Sequence, residues 1–116
     1  MSYEGSCHCG EVTFSVAGDP PTSALSCNCS HCRRKGFMLT FVSADQFTLT
    51  TGEEALTSYY FNRHAIEHQF CKTCGSQAFG AGKGPDGSVM RAINLRCVPS
   101  VDIDALTIEK VDGASH

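Results

Sequence analysis

Eight cysteines fall into three tight clusters and one singleton, and this distribution limits the possible folds more than any other feature of the chain. The clusters are Cys7-His8-Cys9, Cys27-Asn28-Cys29-Ser30-His31-Cys32 and Cys71-Lys72-Thr73-Cys74, and Cys97 stands alone. An even cysteine count in a short chain raises the possibility of a disulfide framework. Two arguments oppose it. Cysteines two or three residues apart make strained bonds with each other. The opening Met1-Ser2-Tyr3-Glu4-Gly5 also lacks the basic and apolar regions of a secretory leader. The expected compartment is therefore the cytoplasm, where thiols stay reduced. Clustered thiols there read as metal ligands, because a metal needs several donors converging on one point.

The spacings separate into two sites. In an extended segment residues i and i+2 share a face, so Cys7 and Cys9 are expected to present two sulfurs side by side from a strand, with His8 pointing away. Cys71-x-x-Cys74-Gly75 reads as a zinc knuckle, a tight turn after which glycine takes the left-handed conformation. Together Cys7, Cys9, Cys71 and Cys74 form a closed four-thiolate structural site linking the N-terminal segment to a point more than sixty residues later. A thioredoxin-like reading of Cys71 and Cys74 requires a βαβ context, which the sequence does not show.

The middle cluster supplies Cys27, Cys29 and Cys32. Ser30 can cap a short helical turn over His31–Lys35 that ends at Gly36. Cys29 and Cys32 then face one metal, and Cys27 arrives from the preceding strand. Three protein ligands and an open position describe a catalytic-type zinc. Cys97 as a fourth thiolate would close the site instead, and spacing alone leaves both readings open. An iron–sulfur cluster is the weaker third reading, because the spacing matches neither ferredoxin pattern.

Between the clusters lie short alternating or apolar segments separated by Gly/Pro turns. Val12, Phe14 and Val16 share one face of Glu11–Val16. Strands are also expected at Phe37–Val42, Gln46–Thr50, Leu56–Phe61, Ile66–Phe70, Gln77–Phe79, Val89–Leu95 and Leu106–Val111. Gly80–Gly87 reads as a turn-rich loop and Gly113–His116 as a frayed tail. No long amphipathic helix and no internal repeat is present. The fold class is all-β, with short strands pinned by zinc. A length of 116 residues fits a single zinc-binding domain spanning 1–116. Phe37, Phe41, Tyr59, Tyr60 and Phe70 are expected in the core, one or two of them lining a ligand pocket. His64 and His68 are four apart, but they fall in strand or loop rather than on a metal-binding helix face.

A formal charge of −3, deepened by bound thiolates, argues against nucleic acid and anionic membrane as partners. No apolar run is long enough to span a bilayer. The local exception in charge is Arg33-Arg34-Lys35, either a solvated turn or an anion-binding group.

Taken in order, Gly5-Ser6-Cys7-His8-Cys9-Gly10-Glu11-Val12, Cys27-Asn28-Cys29-Ser30-His31-Cys32-Arg33-Arg34, Phe70-Cys71-Lys72-Thr73-Cys74-Gly75-Ser76 and Asn94-Leu95-Arg96-Cys97 strongly resemble the glutathione-dependent formaldehyde-activating enzyme family, which includes centromere protein V. The resemblance spans residues 5 to about 97. It implies a β-tent fold of short antiparallel sheets. It further implies two Zn2+ per chain, one structural at Cys7, Cys9, Cys71 and Cys74 and one catalytic-type at Cys27, Cys29 and Cys32, with Cys97 a buried non-ligand. The implied activity is that of a zinc-dependent carbon–sulfur lyase, similar to S-(hydroxymethyl)glutathione synthase. Its partner would be glutathione or another small thiol carrying an adduct of a carbonyl such as formaldehyde.

A three-thiolate zinc suits holding an incoming thiol as thiolate. Arg33 and Arg34 are then the candidates for meeting glutathione carboxylates, and Ser30 or His31 the candidates for carrying a proton. A non-catalytic zinc-binding interaction domain is the rival reading. Exposed strand edges make a homodimer possible.

Overall fold

The computed structural model describes residues 1–28, 30–59, 67–83 and 87–111. Alternation drives the first sheet. In β2 (Thr13–Ala17), Phe14 and Val16 are buried, while Thr13 and Ser15 are only partly covered. β1 (Ser2–Ser6) pairs antiparallel with β2, and β2 pairs antiparallel with β5 (Phe47–Thr51). The sequence pattern did not single out β1. Its buried positions are Tyr3 and Gly5, and Gly5 shows no hydrophobic period because it has no side chain. That bare backbone is needed, since a Cβ there would come within 2.3 Å of the Phe14 ring, its partner in the register.

The second sheet has seven strands in the order β10 (Thr107–Val111), β3 (Ser23–Cys27), β4 (Leu39–Ser43), β9 (Val89–Asn94), β8 (Phe79–Lys83), β7 (Glu67–Cys71) and β6 (Leu56–Tyr59). All its pairings are antiparallel except that of β10 with β3. One short helix, α1 (Ser30–Lys35), follows β3. Among the described residues the chain is therefore all-β apart from this helix and four single-turn 3-10 segments, as its short segments and turns led us to expect. No helix among the described residues is long and apolar enough to cross a membrane.

The core lies between the two sheets. Phe14 of β2 stacks on Phe47 of β5 with centroids 5.5 Å apart, and both meet Phe79 of β8, at 6.0 and 4.7 Å. These rings join the small sheet to the large one. Such pairs contribute about 0.5–1.5 kcal/mol each beyond area burial. With Phe14, the residues Ile93, Leu95, Val12, Val16, Val98 and Cys71 are the largest fully buried side chains among the described residues.

Two expectations need correcting. The glycine-rich segment after Phe79 is not a loop from its start: Gly80–Lys83 continue β8 between β7 and β9. Pairing on both edges overrides the weak strand preference of glycine. Phe41 and Tyr59 are not core residues, being 48% and 49% exposed. Gly84–Asp86, Tyr60–Ile66 (with His64) and residues 112–116 lie outside the described residues, so the expected end of the Leu56–Phe61 strand and the C-terminal tail do as well.

Candidate functional site

Two turns build the first cysteine cluster. Cys71 ends β7, and the chain turns through Lys72–Cys74, closed by the Gly75 N–H donating to the Cys71 carbonyl at 2.8 Å. Opposite it, Cys7 leaves β1. Here the expectation of an extended Cys7–Cys9 segment fails, because His8 and Cys9 form a turn in which the Gly10 N–H reaches the Cys7 carbonyl at 3.3 Å. Gly10 and Gly75 both carry positive φ, 85° and 80°, so each cysteine pair is followed by the same left-handed glycine. A turn aims two sulfurs at one point as well as a strand face does, and His8 is still left exposed. Glu11 couples the two turns, its carboxylate accepting from the Thr73 hydroxyl at 3.2 Å and its carbonyl from the Thr51 hydroxyl at 3.1 Å.

The four sulfurs of Cys7, Cys9, Cys71 and Cys74 lie within 4.8 Å of one another. Cys7 to Cys9 is 3.5 Å and Cys9 to Cys71 is 3.7 Å. A tetrahedral zinc with bonds of about 2.3 Å sets its sulfurs about 3.8 Å apart, close to the two distances above, so this donor set fits that ion. Electrostatics agrees. The Ser76 backbone N–H, and then that of Cys9, draw the Cys74 thiol down to about 5, and the Cys74 N–H lowers Cys71. The Glu11 amide also acts to lower Cys9, but burial and the sulfurs of Cys7, Cys71 and Cys74 outweigh it and push this thiol up to about 12. Four adjoining thiols resist full ionisation on their own, and a divalent cation removes that resistance. Cys7, Cys9, Cys71, Cys74 and Cys97 are free thiols, which excludes an eight-cysteine disulfide framework. The cluster can hold one metal ion.

Cys97 sits on the inner side of this cluster. Its sulfur is 3.8 Å from both the Asn94 side-chain amide and the Gln77 carbonyl. Burial, followed by the charges of Cys7 and Cys74, pushes it up to about 11.

Cys27, at the end of β3, and Cys32, buried in α1, line a common cavity and a common cleft. Cys29 lies outside the described residues. Helix α1 forms one residue earlier than expected, with Ser30 as its first helical residue rather than its cap, and Gly36 closes it with its N–H on the Cys32 carbonyl at 2.9 Å. The basic run divides between two surfaces. Arg33 faces the cleft lined by Cys27 and Cys32, together with Arg96 and Lys110. Arg34 donates to the Ser30 carbonyl at 2.8 Å and, with Lys35, lines a separate cleft beside His31 and Tyr59.

His31 packs against His68, ring centroids 4.0 Å apart, and stacks on Tyr59 at 5.6 Å. Burial, then Lys35, lowers the pKa of His31; burial, then His31 and Lys35, takes His68 down to about 4. Both rings are therefore neutral near pH 7.

The sequence matches the model of the family described as "Glutathione-dependent formaldehyde-activating enzyme" over residues 2–101. The chain belongs to this family. It is 35% identical over 85 residues to a Halomonas elongata protein named "Putative glutathione-dependent formaldehyde-activating enzyme", an overlap covering 66% of this chain and 54% of that protein. The chain thus spans about half the length of this curated relative. A crystal structure of a Rhodobacter sphaeroides protein superposes with a TM-score of 0.77 at 26% identity, covering 91% of this chain and 99% of that one.

Spacing did not reveal Gln77, Asn94, Arg96 and Lys110, although all four line the surfaces around Cys27 and Cys32. Gln77 and Asn94 did leave a trace: each is a polar residue beside apolar neighbours, Ala78-Phe79 and Ile93-Leu95. Both are 7% exposed.

Proposed function

We propose that the chain is a zinc-dependent carbon–sulfur lyase-like enzyme acting on the glutathione adduct of a small carbonyl compound. Membership of the family supports the glutathione and formaldehyde relationship. The observation that carries the reading is the cleft that brings Cys27 and Cys32 together with Arg33, Arg96 and Lys110. Glutathione is an anionic thiol, and this surface offers thiolate-type metal ligands beside three cations.

In this reading Cys7, Cys9, Cys71 and Cys74 hold a structural zinc, while Cys27, Cys29 and Cys32 hold a second one. A zinc held by these three thiolates would supply the charge that lowers the pKa of an incoming thiol. The protein's own contribution is positional. Arg96 is anchored by its Nε donating to the Gly36 carbonyl at 2.8 Å, which leaves its remaining N–H groups for a carboxylate. Arg33 projects from the helix that carries Cys32. Neutral His31, the sequence's candidate for carrying a proton, faces the other cleft with Arg34 and Lys35 rather than this one.

Titration calorimetry of the reduced, zinc-loaded chain with glutathione tests this reading. Arg33→Ala combined with Arg96→Ala should weaken binding about tenfold or more, the scale of losing charged hydrogen bonds. Arg34→Ala, on the other cleft, should change it by less than about twofold. Equal affinity in all three proteins would remove the cationic cleft from the account.

A further inference from the structure

The same two cysteines also border a second, chemically opposite compartment. On the face of the large sheet turned away from the small one lies a cavity of about 450 Å³. Strand register explains how it forms. Phe41 pairs with Ala92 and Leu39 with Asn94, so these side chains emerge on one face. Gly80 pairs with Ala92 and Gly82 with Met90 on that face, and neither glycine has a side chain to cover it. The hollow is therefore walled by Leu25, Leu39, Phe41, Met90 and Ala92, with Cys27 and Cys32 at its border.

Size argues against formaldehyde as the group this space takes. At about 30 Å³ per water-sized atom, the cavity has room for on the order of fifteen heavy atoms. Formaldehyde has two. A volume in this range is typical of sites that enclose a complete apolar ligand.

His68, Gln77, Asn94 and Lys83 interrupt the apolar wall, and of these Gln77 carries an unmatched buried polar atom. Gln77 lines the cavity, and its side-chain amide nitrogen is 3.2 Å from His68 Nδ1, while its Oε1 is buried with no hydrogen-bond partner among the described residues. A buried amide oxygen left unmatched costs about 1–3 kcal/mol. If the amide is turned over, the nitrogen becomes the unmatched end. A hydroxyl group, which both donates and accepts, satisfies either orientation.

We propose that the substrate is the glutathione hemithioacetal of an apolar aldehyde, with its hydrocarbon group in this cavity and its hydroxyl on the Gln77 amide. The inference rests on the glutathione reading above and adds the identity of the aldehyde. The glutathionyl part lies in the cleft of Arg33, Arg96 and Lys110, and the sulfur sits at the border the two compartments share. In the forward direction the thiolate sulfur adds to the carbonyl carbon, one C–S bond forms, and the C=O π pair moves to oxygen. The proton released by the thiol ends on that oxygen. No electrons are exchanged with a second reactant, and the reverse step is carbon–sulfur cleavage.

The test uses the reduced, zinc-loaded full chain and two probe series. Calorimetry with S-methyl, S-butyl and S-hexyl glutathione should show affinity rising about fourfold per methylene, the increment for burying a CH2 group. Ala92→Leu, which puts three more carbons into the cavity, should abolish that rise. Should Ala92→Leu not fold, Gly82→Ala serves the same purpose with one carbon. In parallel, 1-butanol, 1-hexanol and 1-octanol should shift the NMR methyl signals of Ala92 and Met90, with affinity again rising along the series.

A flat S-alkyl series with glutathione itself bound would overturn the apolar-aldehyde inference and leave the glutathione reading standing. Failure of every glutathione to bind, with the alcohol series still rising, would overturn the glutathione reading and keep the apolar specificity. Flat behaviour in both series from a chain that sediments as a dimer would assign this sheet face to a second copy and overturn the inference.

Discussion

Cys71→Ser will remove a metal ion from the chain and most of its stability with it. Cys71 is fully buried at the end of β7, and its sulfur lies 3.7 Å from that of Cys9, sixty-two residues away in sequence. The same knuckle is tied to the β5–β6 connection by the Lys72 N–H on the Ala55 carbonyl at 2.8 Å. Losing the ion therefore releases β1, β7 and that connection together. Structural zinc in small domains contributes apparent free energies of about 10–16 kcal/mol, against about 5–15 kcal/mol for the whole stability of a typical domain. Thermal unfolding of the variant is expected at least about 15 °C below wild type, or without a cooperative transition. Chelator-treated wild type should behave the same way. A variant melting within a few degrees of wild type would mean that the four-sulfur cluster is incidental to the fold.

Cys32→Ser should have the opposite profile, with a large loss of function and a small loss of stability. Cys32 is one residue of the short helix that follows β3, and it borders both the cationic cleft and the apolar cavity. Replacing its sulfur by oxygen removes a thiolate ligand but leaves the side-chain size nearly unchanged. Glutathione binding should fall below detection, and carbon–sulfur lyase activity should drop by about a hundredfold or more, the scale on which catalytic metal ligation acts. The melting temperature should move by no more than about 8 °C, the equivalent of about 1 kcal/mol in a chain of this size. Cys29→Ser should give the same result. Unchanged glutathione binding in both variants would separate this cluster from thiol chemistry and favour an interaction module.

Much of this arrangement was legible in the sequence because its signals are local. Two cysteine pairs, each followed by glycine, identify the four-sulfur cluster whether the first pair sits in a strand, as expected, or in a turn, as found: either geometry converges two sulfurs. Ser30 and Gly36 marked the ends of α1. What escaped was what depends on pairing. Gly80–Lys83 has the composition of a loop, and only two neighbouring strands make it a strand. The apolar cavity exists because two glycines meet Ala92 and Met90 in register, a coincidence that no window of sequence displays. Arg96 and Lys110 reach the cleft of Cys27 and Cys32 from more than sixty residues away. Phe41 and Tyr59 carried a strong core signal, yet they lie half exposed, since an aromatic residue in a strand suits a ligand surface as well as a core.

The most direct test of the account is zinc per chain, measured by mass spectrometry of metal content on protein kept reduced throughout. Two zinc ions per chain is the predicted result, one held by Cys7, Cys9, Cys71 and Cys74 and one by Cys27, Cys29 and Cys32. One zinc per chain would contradict the catalytic site and leave the lyase reading without its metal, and no zinc would contradict the account as a whole.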